Sequence, residues 1–353
     1  MMYKQFLMVA LCAAGLAAAG CSNSGRAEGA TTGSADNAPV RISVGSYNLN
    51  NLPFFIADAK GYFKDVGLEV KTENFAQGGS KVLQALVANS TDVAVGFYDH
   101  TIQMQAKGKD VVAFVLLSRN SGLVMAGREN ATFDPARPET IKGQKVGITA
   151  PGSSSDFFVR HFLAQHDIPV DSISLIGVGS GAAAVAALEQ GKIDLLVNYD
   201  PAATLITERK VGRIIIDARS DDGARQVYGG LYPTSVMYAN QSFLDKRPEA
   251  AEKIARAEQM ALKFIADSSA EDIVAALPDS YVSGDRATYA RAVENARAIF
   301  TRDGRFTPAD LETPLKVLRE FNTDVANANI NLSRTYTNAF VERANAAAPA
   351  TQP

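Results

Sequence analysis

Short apolar runs, bounded by glycine, proline and asparagine, alternate along this chain with longer stretches whose apolar residues recur every three or four positions. Residues 40–46 (VRISVGS) alternate and predict a strand, followed by the polar turn Asn48-Leu49-Asn50-Asn51. Pro53 fits the first turn of a helix reaching Lys60, and Gly61 ends it. Residues 68–72 predict a strand; Gly78-Gly79-Ser80 opens a helix with Val82, Leu83, Leu86 and Val87 on one face. A short buried strand at 92–96, a helix at 101–107 and an apolar strand at 111–117 complete the first unit. A second unit repeats the pattern: strands at 145–149, 173–176, 193–197 and 213–216, helices at 156–165 and 182–190, and another starting at Pro201. Residues 234–239 predict a strand that returns toward the first unit. From Pro248 onward the spacing is helical, over 248–265, 270–276, 286–300, 308–321 and 333–344. Strand–helix alternation of this kind marks an α/β fold with parallel sheets, and the helical tail must cover sheets already built.

The start of the chain has a different character. Lys4 precedes an uncharged, mostly apolar run at 6–19, and then come Gly20 and Cys21, the layout of a secretory signal. The run is too short for a bilayer, which needs ~20 residues, and no later stretch reaches 18 apolar residues. Residues 22–39 are rich in Gly, Ala, Ser, Thr and Asn and cannot bury enough surface to offset their ordering entropy, so they predict a flexible tether. Residues 346–353 are expected to fray. A net charge of −3 and a pI near 5.8 give no basic footprint for nucleic acid. The only cysteines are Cys12, inside the signal, and Cys21. The folded part therefore has no thiol for a disulfide, a zinc site or a nucleophile, and its stability must come from core burial.

In open α/β sheets ligands bind beyond the carboxyl ends of the strands. That rule nominates the loops holding Asn48, Asn50 and Leu52; Gly79 and Ser80; Phe97, Tyr98 and Asp99; Arg119; Ser153, Ser154 and Ser155; Gly179; and Tyr199 and Asp200. Three of these are Gly/Ser loops opening a helix, where free N–H groups and the helix dipole favour an anion. Each loop is equally readable as an ordinary turn and N-cap. Residues 177–182 (GVGSGA) formally fit a dinucleotide fingerprint, but Asp194 precedes a strand instead of ending one, where a ribose-binding acid belongs. His100, His161 and His166 form no catalytic or metal-binding spacing and are expected to be structural or at the surface. Asp99 and Asp200 are readable as a carboxylate pair across a cleft or as caps. No cofactor or metal is expected.

Residues 52–63 (LPFFIADAKGYF) with 66–70 (VGLEV), then 78–80 with 85–96 (ALVANSTDVAVG), 106–109 (AKGK), 141–148 (IKGQKVGI) and 187–194 (ALEQGKID) leading to Asp200-Pro201 resemble, in order, the ABC-transporter solute-binding proteins for nitrate, sulfonate and taurine, relatives of the thiamine-pyrimidine synthases. The resemblance spans about 40–238. It implies a bilobal, type II periplasmic-binding-protein-like fold: two α/β lobes, a two-strand hinge and closure around one small solute, with a helical C-terminal tail. Lobe I is expected over 40–122 plus 241–353 and lobe II over 123–240, with hinge strands at 121–125 and 235–238. By the same match the loop holding Asn48, Asn50 and Leu52, then Gly79 and Ser80, the end of the third strand at 97–99, Ser153 with Ser154 and Ser155, and Asp200 face the solute; Phe97, Tyr98 and Tyr199 are readable as pocket walls or as core packing, and Arg119 as a countercharge for an anion or as a surface residue. Two acids in the cleft leave an aminated or zwitterionic solute, or a larger aromatic acid, open beside a simple anion. Residues 18–21 (AAGC) resemble the lipobox of bacterial lipoproteins, with residues 1–20 removed and lipid on Cys21; Ala18 stands where Leu is usual, and a plain secretory signal is the other reading. The implied protein is a monomeric, lipid-anchored receptor of the periplasm or cell envelope that hands its solute to an ABC permease and binds no nucleic acid. A signalling module and a pyrimidine-synthase-like enzyme are the rivals; those synthases carry a cysteine-rich motif that is not found here.

Overall fold

The computed structural model describes residues 38–346 except 46, 76–77 and 283. Cys21, the expected signal, most of the tether and the tail after 346 lie outside the described residues. Among the described residues no helix is long and apolar enough to cross a membrane.

Among the described residues ten strands, numbered in chain order, build two sheets: β1 Val40–Val44, β2 Val70–Asn74, β3 Val93–Phe97, β4 Val111–Leu116, β5 Val124–Arg128, β6 Lys145–Ile148, β7 Ser174–Gly177, β8 Leu195–Asn198, β9 Gly212–Asp217 and β10 Ser235–Asn240. The first sheet runs β2-β1-β3-β10-β4 and the second β7-β6-β8-β5-β9. Both follow one plan. β10 is antiparallel to β3 and β4 in the first sheet, and β5 is antiparallel to β8 and β9 in the second. Parallel neighbours such as β1–β3 and β6–β8 are joined through helices. The antiparallel strand in each sheet is the first one the chain forms after arriving from the other.

The two α/β lobes and the helical tail are as the sequence predicts, but the expected boundary at 240 does not follow the sheets. β10 lies wholly in the first sheet and β5 wholly in the second, so the connections between sheets are the loops just before them. The helix Asp221–Tyr228 was not expected; its polar face (DDGARQVY) hides the periodicity, and Ser220 caps it by accepting from the Gly223 N–H. The last helix is Ala339–Ala346 and does not start at 333. After a short 3-10 turn, Leu332–Arg334, the chain instead makes one bridge to β4: Ala113 N–H donates to the Thr335 carbonyl at 2.9 Å and Thr337 N–H to the Ala113 carbonyl at 2.8 Å. Without it the edge of β4 at Ala113 would lack partners.

Interior strands are buried on both faces, as β3 and β8 show, while the edge strand β2 (VKTEN) is polar and mostly exposed. The helix Pro248–Asp267 lays Ala251, Ile254, Ala255, Leu262 and Ile265 into the first core. The helix Glu312–Phe321 lies between lobes. Its Leu315 and Leu318 join the core around Tyr98 and Phe306, and Val317 joins the second-sheet core with Phe158 and Tyr228. Its Glu320 meets His161 Nδ1 at 2.5 Å and accepts from Gln165 at 2.7 Å. The helix Arg286–Ala296 makes a second bridge, through Thr288 to Glu208 at 2.9 Å and Asn295 to Thr204 at 3.0 Å.

One core residue works against the fold. Glu258, in the middle of Pro248–Asp267, is fully buried and neither carboxyl oxygen has a partner. Burial first, and Asp58 second, push its pKa well above the carboxylate range. The folded state therefore holds a proton that the unfolded chain releases, and stability falls as pH rises from the ordinary glutamate range through the raised value. Glu258→Met keeps length and helix propensity and removes the buried polar atoms. We expect it to raise stability at pH 7 by about 1–3 kcal/mol and to flatten that decline, measured by urea melts between pH 4 and 8. An unchanged or lower midpoint at pH 7 would refute this account.

Candidate functional site

The carboxyl ends of β1, β3, β6 and β8 point into one seam, and each strand there gives way to a turn or a helix. Gly45, after β1, packs on the helix Gly79–Val87 so closely that a Cβ would lie 2.8 Å from the Gly79 N and Cα. Gly78 holds φ +95°, a conformation that only glycine adopts easily. Gly96 in β3 leaves room for Tyr238, whose hydroxyl oxygen would sit 2.7 Å from a Cβ there. From the other lobe Thr149, Ser153 and the start of the helix Ser154–Gln165 complete the wall, with Tyr199 after β8. These residues, with Asn48, Asn51, Val95, Phe97 and His100, enclose about 20 Å³, room for one water molecule.

Two helix starts from opposite lobes thus face a single small cavity. Their first N–H groups have no intrahelical partners, and their dipoles place positive potential there. Two side chains add unpartnered polar atoms: His100, 1% exposed, through Nε2, and Ser153, 2% exposed, through Oγ. Phe97 and Tyr199 close one side edge to face, with ring centroids 5.4 Å apart.

Behind His100 lies Asp99, wholly buried at the start of the helix Asp99–Ala106. Its Oδ2 accepts from Ser154 Oγ at 2.7 Å, a bond between lobes, and from the Tyr232 hydroxyl at 3.2 Å. Its Oδ1 has no hydrogen-bond partner and stands 4.0 Å from His100 Nε2. Burial raises the pKa of Asp99, and the nearby imidazole and the Ser154 and Tyr232 hydroxyls only partly oppose it. Burial lowers that of His100, against the pull of Asp99. Desolvation thus favours the neutral form of each.

The structure brings Asn48, Gly79, Phe97, Ser153, Ser154 and Tyr199 to the cavity, and it places the other expected site residues elsewhere. Arg119 pairs with Asp221 at 2.7 Å, partly exposed, and no Arg or Lys lines the cavity among the described residues. Tyr98 turns into the first lobe, its hydroxyl 2.5 Å from that of Thr335. Leu52 belongs to the first core. Ser155 Oγ accepts from the Thr149 N–H at 2.9 Å and braces β6. Asp200 accepts from Thr204 and pairs with Arg219 at 3.0 Å, so it caps a helix and forms no pair with Asp99. Gly179 accepts from Asn198 Nδ2 at 3.0 Å, Ser80 is only partly buried in the first turn of its helix, and Asn50 faces the interlobe connections. The other two histidines are structural: His161 joins Glu320 to the Val227 carbonyl, and His166 packs on Phe162. His100, Thr149, Asn51 and Gly45 line the cavity and were missed. The signal for His100 was its place one residue into a helix that follows a wholly apolar strand.

Asp99 and His100 oppose each other in pH dependence. A raised Asp99 makes stability fall as pH rises through its titration; a lowered His100 makes stability fall as pH drops below the ordinary histidine range. We expect Asp99→Asn to leave the histidine term alone, so that the melting temperature climbs more steeply between pH 4 and 7 than in the parent, and His100→Gln to flatten or reverse that climb. Parallel profiles for all three proteins would contradict the assignment.

Similarities with known proteins run over most of the chain. A model of the NMT1-like family matches residues 35–278. YtlA of Bacillus subtilis (strain 168), provisionally named a binding protein, is 27% identical over 252 residues, covering 70% of this chain and 72% of YtlA. A 4-amino-5-hydroxymethyl-2-methylpyrimidine phosphate synthase of Saccharomyces cerevisiae (strain ATCC 204508 / S288c) is 23% identical over 222 residues, 61% of this chain and 63% of the synthase. Among solved structures, a protein of Bordetella bronchiseptica RB50 superposes with a TM-score of 0.83 at 37% identity, over 88% of this chain and 98% of that one. The periplasmic nitrate-binding protein NrtA of Synechocystis PCC 6803 gives 0.69 at 16% identity, over 88% and 89%. The periplasmic aliphatic sulphonate binding protein SsuA of Escherichia coli gives 0.65 at 18%, over 86% and 98%. The last two are likenesses of fold.

Proposed function

This chain belongs to the NMT1-like family, and we propose that it is the solute-binding protein of an ABC importer, gripping a small anion between two hinged lobes. The observation that carries the reading is the convergence of two helix starts, one from each lobe, with the unpartnered His100 and Ser153 on one cavity. The fold shared with the nitrate-binding NrtA and the sulphonate-binding SsuA supports the solute class. The anion's partners are backbone N–H groups and hydroxyls, and no guanidinium takes part.

A cavity that holds one water admits a solute only when the lobes part. We place the hinge in the connections at 117–123 and 229–234, with β10 in lobe I. Bonds between lobes, such as Asp99–Ser154 and the Leu49 N–H to the Asp200 carbonyl at 2.9 Å, exist only in the closed form. Solute contacts made in that form shift the population toward it. In the cell envelope, lipid on Cys21 would hold the receptor at the membrane that carries its permease. The synthase relative suggests an enzyme on the same scaffold. What favours a binder is that the lining presents no carboxylate among the described residues, that His100 Nε2 has no hydrogen-bond partner, and that no cysteine follows Cys21.

The test is a thermal-shift and calorimetric screen of the purified chain with nitrate, methanesulfonate and taurine. One-to-one binding stabilises by about 2.7 kcal/mol at a hundredfold excess over Kd. Gly45→Ala, which forces the Gly79 helix start off β1, is expected to lower affinity at least about tenfold, roughly 1.4 kcal/mol. A flat screen removes the anion reading, and product formation in the same mixtures would favour the enzyme.

A further inference from the structure

Asn50 was expected at the solute and is found at the hinge. Its side chain is 1% exposed and does not line the cavity. Its Nδ2 donates to the Ser121 carbonyl at 2.7 Å, in the first connection between lobes, and faces Thr234 Oγ1 at 3.4 Å, in the second. The Thr234 hydroxyl donates to the Asn120 carbonyl at 2.6 Å, which closes a ring between the two connections. Ser118 Oγ donates to the Asn50 carbonyl at 2.9 Å. Gly122 holds φ +64°, and a Cβ there would sit 2.7 Å from Asn50 Oδ1, so the amide fills space that a side chain at 122 would need.

The flanking residues point elsewhere. The Leu49 N–H reaches the Asp200 carbonyl in the second lobe, and Asn51 Oδ1 accepts from Ser235 Oγ at 2.7 Å where β10 begins. Asn48 and Asn51 themselves line the cavity. One turn, Leu49–Asn51, therefore touches the solute cavity, both connections and the opposite lobe. We infer that Asn50 is a positioning residue that ties the two hinge connections into one relative angle and so biases the lobes toward closure, without touching the solute. The chemistry requires an amide. Ser121 presents a carbonyl, which needs a donor; an aspartate of the same shape would set oxygen against oxygen in a buried place, and alanine would leave that carbonyl and the Thr234 hydroxyl short of a partner.

The inference goes beyond the binding reading and is tested without any solute. Spin labels on Lys71→Cys in the first sheet and Lys192→Cys in the second lobe, both exposed, with Cys12 and Cys21 replaced by serine, report the distance between lobes in the full chain. At a temperature far below melting, Asn50→Asp is expected to widen the distance distribution and move its maximum by more than about 2 Å, the scale of a hinge rearrangement. Thr234→Val, on the other connection, should move it the same way, and the double variant no further than the larger single effect, because both break one ring. A residue that merely supports the core would lower the melting temperature and leave the distribution alone. A folded Asn50→Asp protein with the parent distribution overturns the inference. Should Asn50→Asp not fold, the parent distribution in Thr234→Val overturns it equally.

Discussion

The organising constraint is that the seam between the lobes is almost dry, so the polar groups buried there need partners from the protein. A buried N–H, carbonyl or hydroxyl without a partner loses about 1–3 kcal/mol, and the seam collects many: helix starts, strand ends and two chain crossings. Many are satisfied across the lobes, through Ser154 to Asp99 and Leu49 to Asp200, or at the first connection, through Asn50 to Ser121 and Ser118 to Asn50. Exceptions remain: His100 Nε2, Ser153 Oγ and Asp99 Oδ1 around the cavity, and Asn120 Oδ1 in the first connection. Three of these four atoms gather around the cavity, which is where the fold tolerates the greatest loss.

Much of this architecture could be read in the chain. The alternation of apolar runs and helical spacing located the strands and most of the helices, because buried parallel strands such as β3 and β8 have no polar face to disguise them. The glycine-serine loops were equally legible, since Gly78 and Ser153 sit at helix starts for reasons of backbone geometry alone. The sheet that β10 joins was not legible. Its sequence fits either sheet equally well, and only its pairing with β3 and β4 decides. Residues 333–338 misled for a related reason: their spacing suits a helix, but the open edge of β4 needs hydrogen bonds more.

The site was legible to the level of loops and not of side chains. The strand-end rule led to turns that line the candidate cavity, but a turn exposes its residues in several directions. Of Phe97, Tyr98 and Asp99, three consecutive residues, one lines the cavity, one enters the core with Phe306 and one supports from behind. Charged residues were the least reliable guides. Arg119 and Asp200 looked like ligands because they follow strands, yet each found an opposite charge nearby, in Asp221 and Arg219. A short-range partner tens of residues away in sequence is invisible without the fold.

The same dryness sets the electrostatics of the cavity. A lysine or arginine facing it would be a buried charge in every form that lacks a counterion, and would resist closure. Helix starts avoid that difficulty. Their positive potential comes from fixed dipoles that carry no net charge and remain aligned whether the lobes are open or shut. The neighbouring acid and imidazole follow the same logic, since burial drives both Asp99 and His100 toward their neutral forms. The lobes can therefore meet without trapping a net charge, and an anion entering the gap would supply the only full charge there. In the binding cycle we propose, closure onto such a solute would gain the dipole attraction at low dielectric, and closure without it would meet no electrostatic barrier.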